Sequence, residues 1–97
     1  MADFRPVTDR ELKILRALTA TERHLRRLEV RLTIKRARVR VARTLKAARP
    51  MRTVTDIRWH AEVTAREARA LRGLASGLSA RRVFRRVRDR MAAALQR

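Results

Sequence analysis

The side chains with the most chemistry on offer are the arginines. There are 24 among 97 residues, beside 3 lysines and 9 acids, for a formal net charge of +18. A guanidinium is planar, always charged and shaped to meet two phosphate oxygens at once. Such an excess of one sign must find a polyanion or stand apart in solvent, because self-repulsion opposes a compact chain. Wound as a helix, Arg27, Arg31, Arg38 and Arg49 share one ridge with Lys35 beside it, and Arg36, Arg40 and Arg43 form another. Arg23 and Arg26 open the run, and Arg81, Arg82, Arg85, Arg86 and Arg88 surround the polar side of a C-terminal helix. Cations at one-turn spacing can follow a phosphate backbone. They give affinity through counterion release and carry little sequence information. The candidate nucleic-acid contacts are therefore Arg23, Arg26, Arg27, Arg31, Lys35, Arg36, Arg38, Arg40, Arg43, Arg49, Arg81, Arg82, Arg85 and Arg86.

No other chemistry has a constellation. His24 and His60 each lack a second ligand at helical spacing, so neither begins a zinc site. Glu62 and Glu67 alternate with Arg58, Arg66 and Arg69 and read as exposed helix ion pairs. There is no cysteine, no tyrosine and no glycine-rich phosphate loop. The expectation is a non-enzymatic chain with no catalytic residue, no cofactor and no metal.

Charge is distributed in blocks. Residues 1–22 hold four bases and four acids, and residues 23–52 hold twelve bases and one acid. Residues 53–79 hold four bases and three acids, and residues 80–97 seven bases and one acid. The near-neutral blocks suit packing contacts and the basic ones suit a polyanionic partner. Lack of cysteine agrees with a reducing compartment. No apolar run approaches membrane-spanning length, and MADFRPVTDREL has no signal-peptide core, so the sequence reads as cytoplasmic with no membrane partner.

The elements that must position these cations are helices. Only two glycines and two prolines interrupt a chain rich in Ala, Leu and Arg, and 45% of its residues are apolar. We expect an all-α single domain spanning 1–97, a small bundle with one long N-terminal helix and two further helices. Thr8-Asp9-Arg10-Glu11 is a capping box with Val7 and Leu12 placed as a staple, and Pro50 ends the run, giving a helix over about 8–49. A joint at Leu18–Glu22, with Thr19 and Glu22 as a second box, and a kink near 30–35 both remain open. A second helix is expected over about 54–76 with Ile57, Ala61, Thr64, Ala68, Leu71, Ala75 and Leu78 as its apolar stripe. Gly77 would cap it, and Ser79 would start a third helix over about 80–96, buried through Val83, Phe84, Val87, Met91, Ala94 and Leu95.

The long helix carries two stripes. Ile14, Leu18, Leu25, Leu28, Leu32, Val39 and Ala42 form one, and Val30, Ile34, Ala37, Val41, Leu45 and Ala48 form the other, nearly opposite. Two apolar faces need two partners, or a kink that turns both to one core. On the first reading Val30, Ile34, Val41 and Leu45 are candidate protein-interface residues, and repeated copies of the chain are a candidate partner. Trp59 is a core residue or an interface anchor, with base stacking a weaker third role. KRARVRVAR, residues 35–43, alternates like a strand, but its valines and alanines continue both helical stripes, so helix is expected. VTDRE at 7–11 and VTARE at 63–67 repeat a phrase, either as a duplication or as one capping box arising twice.

Two resemblances bear on function. VTAREARALRGLASGLSARRVFRRV resembles the opening of the C-terminal helix-turn-helix domain of response-regulator and quorum-sensing transcription factors, over about a quarter of the chain. Thr64, Arg66, Glu67, Leu71, Arg72, Ala75, Gly77, Leu78, Ser79, Val83, Arg85 and Arg86 match. That resemblance implies a DNA-binding regulator, yet the recognition helix expected after Val87 is missing. In size and character the chain is similar to the small helical subunits of multi-subunit CRISPR RNA-guided complexes. That similarity implies an antiviral ribonucleoprotein, a sequence-independent grip on guide, target or displaced strand, and repeated copies. Helical ribosomal proteins and nucleoid proteins fit the same broad class, and a protein–protein adaptor of a phage or other large assembly is the competing one.

Overall fold

The computed structural model describes residues 5–96. Two helices make up the fold, α1 over Asp9–Ala48 and α2 over Val54–Leu95. They lie against each other as an antiparallel hairpin in a rod of 73 × 22 × 15 Å. The all-α expectation and the long N-terminal helix hold, and the count of helices is two where three were expected.

Helix α1 starts where the capping signal places it. The Thr8 hydroxyl accepts the Glu11 N–H at 3.1 Å and donates to Glu11 Oε1 at 3.0 Å. No joint interrupts it. The Thr19 hydroxyl, which would have capped a second segment, donates instead to the Leu15 carbonyl at 2.9 Å, an in-helix bond that leaves the backbone ladder whole. Near residues 30–35 the helix is likewise continuous.

Pro50 lacks an N–H and ends α1, and Thr53 restarts the chain. Its hydroxyl accepts from the Asp56 N–H at 3.2 Å, while Asp56 Oδ2 accepts from the Thr53 N–H at 3.0 Å. This reciprocal box nucleates α2 with its fold-back direction already set.

Helix α2 corrects the expected third helix. Gly77 has no positive φ and does not cap; Leu78 and Ser79 continue the same helix. Glycine is there for proximity: a Cβ at position 77 would lie 2.7 Å from Leu32 Cδ2. The VTARE phrase at 63–67 is not a second cap either, because Val63 and Thr64 lie inside α2.

The contact follows a coiled-coil rhythm. Buried or half-buried positions alternate three and four residues apart from Ile14 in α1 to Arg49 just past its end, and from Asp56 to Leu95 in α2. This 3.5-residue spacing keeps both seams facing each other along the rod. Leu25, Leu32, Val39 and Val63 are the buried apolar residues, with Leu32 only 2% exposed. The first α1 stripe, Ile14 to Ala42, is the seam as expected. The stripe expected to bury α2 is not. Ile57 is 56% exposed, and Leu71 and Leu78 are also open to solvent, while Val63, Ala70 and Leu74 face α1. Toward the C-terminus, Phe84, Met91 and Leu95 keep their expected inward place, whereas Val83 is exposed.

Candidate nucleic-acid interface

A seam of alternating core positions divides the hairpin into two flanks. Residues just before one kind of core position face one flank, and residues just after the other kind face the opposite flank. In α1 this sends Arg31 and Arg38, with Arg27 behind them, to the first flank. Arg36, Arg40 and Arg43 go to the second. The two ridges legible in the sequence thus lie on opposite sides of one rod. Two observations fix the assignment. Arg38 lines one groove with Arg66 and Arg69 of α2. Arg85 meets Glu29 at 3.3 Å on the other flank.

The fourteen candidate cations separate into two groups. Arg23, Arg26, Arg27, Arg31, Arg36, Arg38, Arg40, Arg82 and Arg86 are exposed and have no carboxylate partner among the described residues. Seven of these nine occupy the 18 residues from Arg23 to Arg40, about 26 Å of helix. The other five are paired with a carboxylate or partly buried. Arg43 Nε lies 3.0 Å from Glu67 Oε1, and Arg85 is tied to Glu29. Arg81 is half-buried in the seam. Lys35 is half-buried over Gly73, where a Cβ would meet its ammonium.

Arg49 belongs to the turn. Its Nε donates to Asp56 Oδ1 at 2.9 Å, and its guanidinium stacks 4.7 Å over the Trp59 ring. The His60 Nε2–H donates to the Arg49 carbonyl, and the His60 ring stands edge-on to Trp59. Trp59 is half-buried in this cluster, which accounts for it as a packing residue of the turn. The Arg49 guanidinium, then the Thr53 hydroxyl and the Arg52 and Thr53 N–H groups, hold the Asp56 carboxyl down at about 2.

Glu67 departs from its expected role. Its carboxylate does not pair along α2 with Arg66 or Arg69 but crosses the seam, with Oε2 at 2.6 Å from Lys46 Nζ and Oε1 on Arg43. Lys46, then Arg43, pull its carboxyl below the ordinary value. Arg66 and Arg69 are left to the groove, beside Arg38. The sequence reading missed them because it paired them with Glu62 and Glu67 along one helix; the 3.5-residue spacing read across both helices would have found them.

The predicted protein-interface strip stands open. Val30 is 60% exposed and Val41 57%, and Ile34 and Leu45 are about half exposed. His24 stacks on Phe84 with ring centres 5.4 Å apart. Among the described residues no group of three or more metal-ligating side chains comes together, and no helix is long and apolar enough to cross a membrane. Helix α2 continues unbroken through Gly77-Leu78-Ser79, where a helix-turn-helix scaffold would turn.

Compared with protein-family models, curated proteins and solved structures, the chain matches none.

Proposed function

We propose that this chain is a non-enzymatic accessory subunit of a nucleoprotein assembly that grips an RNA or DNA backbone without reading its sequence. The observation that carries this reading is the set of uncompensated arginines between Arg23 and Arg40 on an unbroken helix. A solvated charged face would mix signs. Here Glu29 is the sole acid in residues 23–52, and Arg85 already occupies it. The partially neutralised C-terminal half still adds Arg82 and Arg86.

A rigid rod with arginine on both flanks suits a position between a nucleic acid and neighbouring subunits. The resemblance to small subunits of CRISPR complexes names one assembly of this kind, in which repeated copies track a strand. A sequence-reading regulator is less well supported, since Gly77-Leu78-Ser79, the residues that would have to turn, continue α2.

The test is binding of purified chain to unrelated single-stranded RNA and DNA oligonucleotides across a salt series. The logarithm of affinity should fall linearly with the logarithm of salt, by about 0.7 per phosphate neutralised on a single strand. Replacing Arg27, Arg31 and Arg38 together by Gln should flatten that slope by about 2 for every sequence. No measurable affinity at low salt, or a loss restricted to one sequence, would refute the reading.

A further inference from the structure

The open groove on the first flank has a composition that a phosphate backbone does not need. Its floor is aliphatic: Ile34, Val41 and Leu45 from α1, Val63 and Ala70 from α2. Its rim is cationic: Lys35, Arg38, Arg66 and Arg69. The one acid in it, Glu67, has both oxygens engaged by Arg43 and Lys46. We infer that this groove docks an acidic amphipathic helix of a partner protein, apolar residues down and carboxylates out to the arginine rim.

Three observations favour this occupant. From Ile34 to Leu45 the groove runs about 16 Å, the length of three helical turns. Exposed Ile34, Val41 and Leu45 fall at spacings of seven and four, the rhythm of a helix-in-groove contact. Charge complementarity selects a carboxylate-flanked ligand and steers its approach. A nucleic acid would leave the aliphatic floor uncovered, and the floor has no aromatic ring for a base to stack on. A second copy would bring its own apolar strip, Ile57 to Leu78, edged by Arg58, Arg72 and Arg82, so that arginine would face arginine. The inference shares Arg38 with the proposed nucleic-acid grip but does not rest on it, because the aliphatic floor is argued from the groove alone.

The probe is a fluorescein-labelled peptide of three heptads, with Leu at the seam positions and Glu on either side. Its control is a scrambled isomer of the same composition. Fluorescence anisotropy with the full chain should show the patterned peptide binding at least about tenfold more tightly than the scrambled one. Val41→Glu should weaken it by about tenfold, as loss of a central anchor does. Val41 is exposed, so that variant keeps its fold. Leu71→Glu, on the opposite flank, should change binding by less than about twofold and serves as the matched control. Affinity of Val41→Glu for a single-stranded RNA should stay close to wild type. Equal binding of both peptides, or of neither, would overturn the inference. So would equal damage by Leu71→Glu, or a loss of RNA affinity in Val41→Glu matching the loss of peptide. Sedimentation supplies the last arm: a wild-type dimer that Val41→Glu dissociates would assign the groove to a second copy instead.

Discussion

Gly73 and Gly77 sit four residues apart in the same helix, and alanine should move stability in opposite directions at the two sites. Neither glycine has a positive φ, so alanine fits the backbone at both. In the interior of a helix it gains about 1 kcal/mol over glycine. At position 73 the new Cβ would meet the end of the Lys35 side chain, Nζ at 2.5 Å and Cε at 3.1 Å. That flexible tip can swing into the open groove beside it. Gly73→Ala should therefore keep most of the gain.

At position 77 the neighbour is Leu32, Cδ2 at 2.7 Å and Cγ at 3.4 Å, and Leu32 is 2% exposed. Buried this far, it cannot swing into solvent as the lysine tip can, and overpacking a core costs about 1–3 kcal/mol. Gly77→Ala should come out net destabilised by about 1 kcal/mol, combining that cost with the helical gain. The two variants should differ by about 2 kcal/mol, or roughly 10 °C in Tm for a domain this small. Urea and thermal unfolding followed by circular dichroism measure both. A double-mutant cycle isolates the cause: in a Leu32→Ala background, Gly77→Ala should turn stabilising. Equal stabilisation at both glycines would show that the helices do not approach at Gly77 as described, and the close-approach account of that residue would fail.

Other perturbations probe the same frame. Leu32→Ala alone should cost about 2–5 kcal/mol, which for a hairpin with so small a core would show as loss of cooperative unfolding at 37 °C. Thr53→Ala should cost about 1 kcal/mol through the α2 cap, measured by urea midpoint. Asp56 is held at about 2 when folded, against about 3.9 in an unfolded chain. Between those values the unfolded state binds more protons, so stability rises with pH there. The Asp56 contribution should be complete above the unfolded value and vanish as pH falls through about 2. Urea midpoints of wild type and Asp56→Asn should therefore diverge at pH 5 and converge near pH 2.

How far the fold could be read from the sequence depended on where its information lay. The start and end of α1 were legible because they are local chemistry, Thr8 with Glu11 and then Pro50; the start of α2 was placed near its true position, but the Thr53–Asp56 box that makes it was not singled out. The α1 seam was legible because its apolar residues, Ile14, Leu18, Leu25, Leu28, Leu32, Val39 and Ala42, outnumber the polar ones interrupting it. The boundary at Gly77 was misread because a glycine that ends a helix and one that admits a neighbour look alike in sequence. Only the position of Leu32 on the other helix separates them.

The α2 seam was hidden for a deeper reason. Along one helix, the flank with Ile57, Ala61, Ala68, Leu71, Ala75 and Leu78 is more apolar than the seam, which holds Asp56, His60, Glu67, Gly77 and Arg81. Hydrophobicity alone chooses the wrong face. The partner reverses that choice. Lys46 in α1 and Arg49 just past its end hold seam positions, and Glu67 and Asp56, eleven residues apart, are the acids at seam spacing that meet them. The stems of Lys46 and Arg49 pack in the seam, and the carboxylates across it receive their charged ends, which an apolar flank could not do. Polar pairs in a seam fix register in this way at some expense of stability. With Glu67 and Asp56 drawn into the seam and Glu29 onto Arg85, no carboxylate among the described residues pairs with the arginines from Arg23 to Arg40. The same pairing that specifies the fold therefore exposes the arginine surface. A candidate site of this kind cannot be assigned residue by residue along one helix; it emerges only once each acid has been given to its partner across the seam.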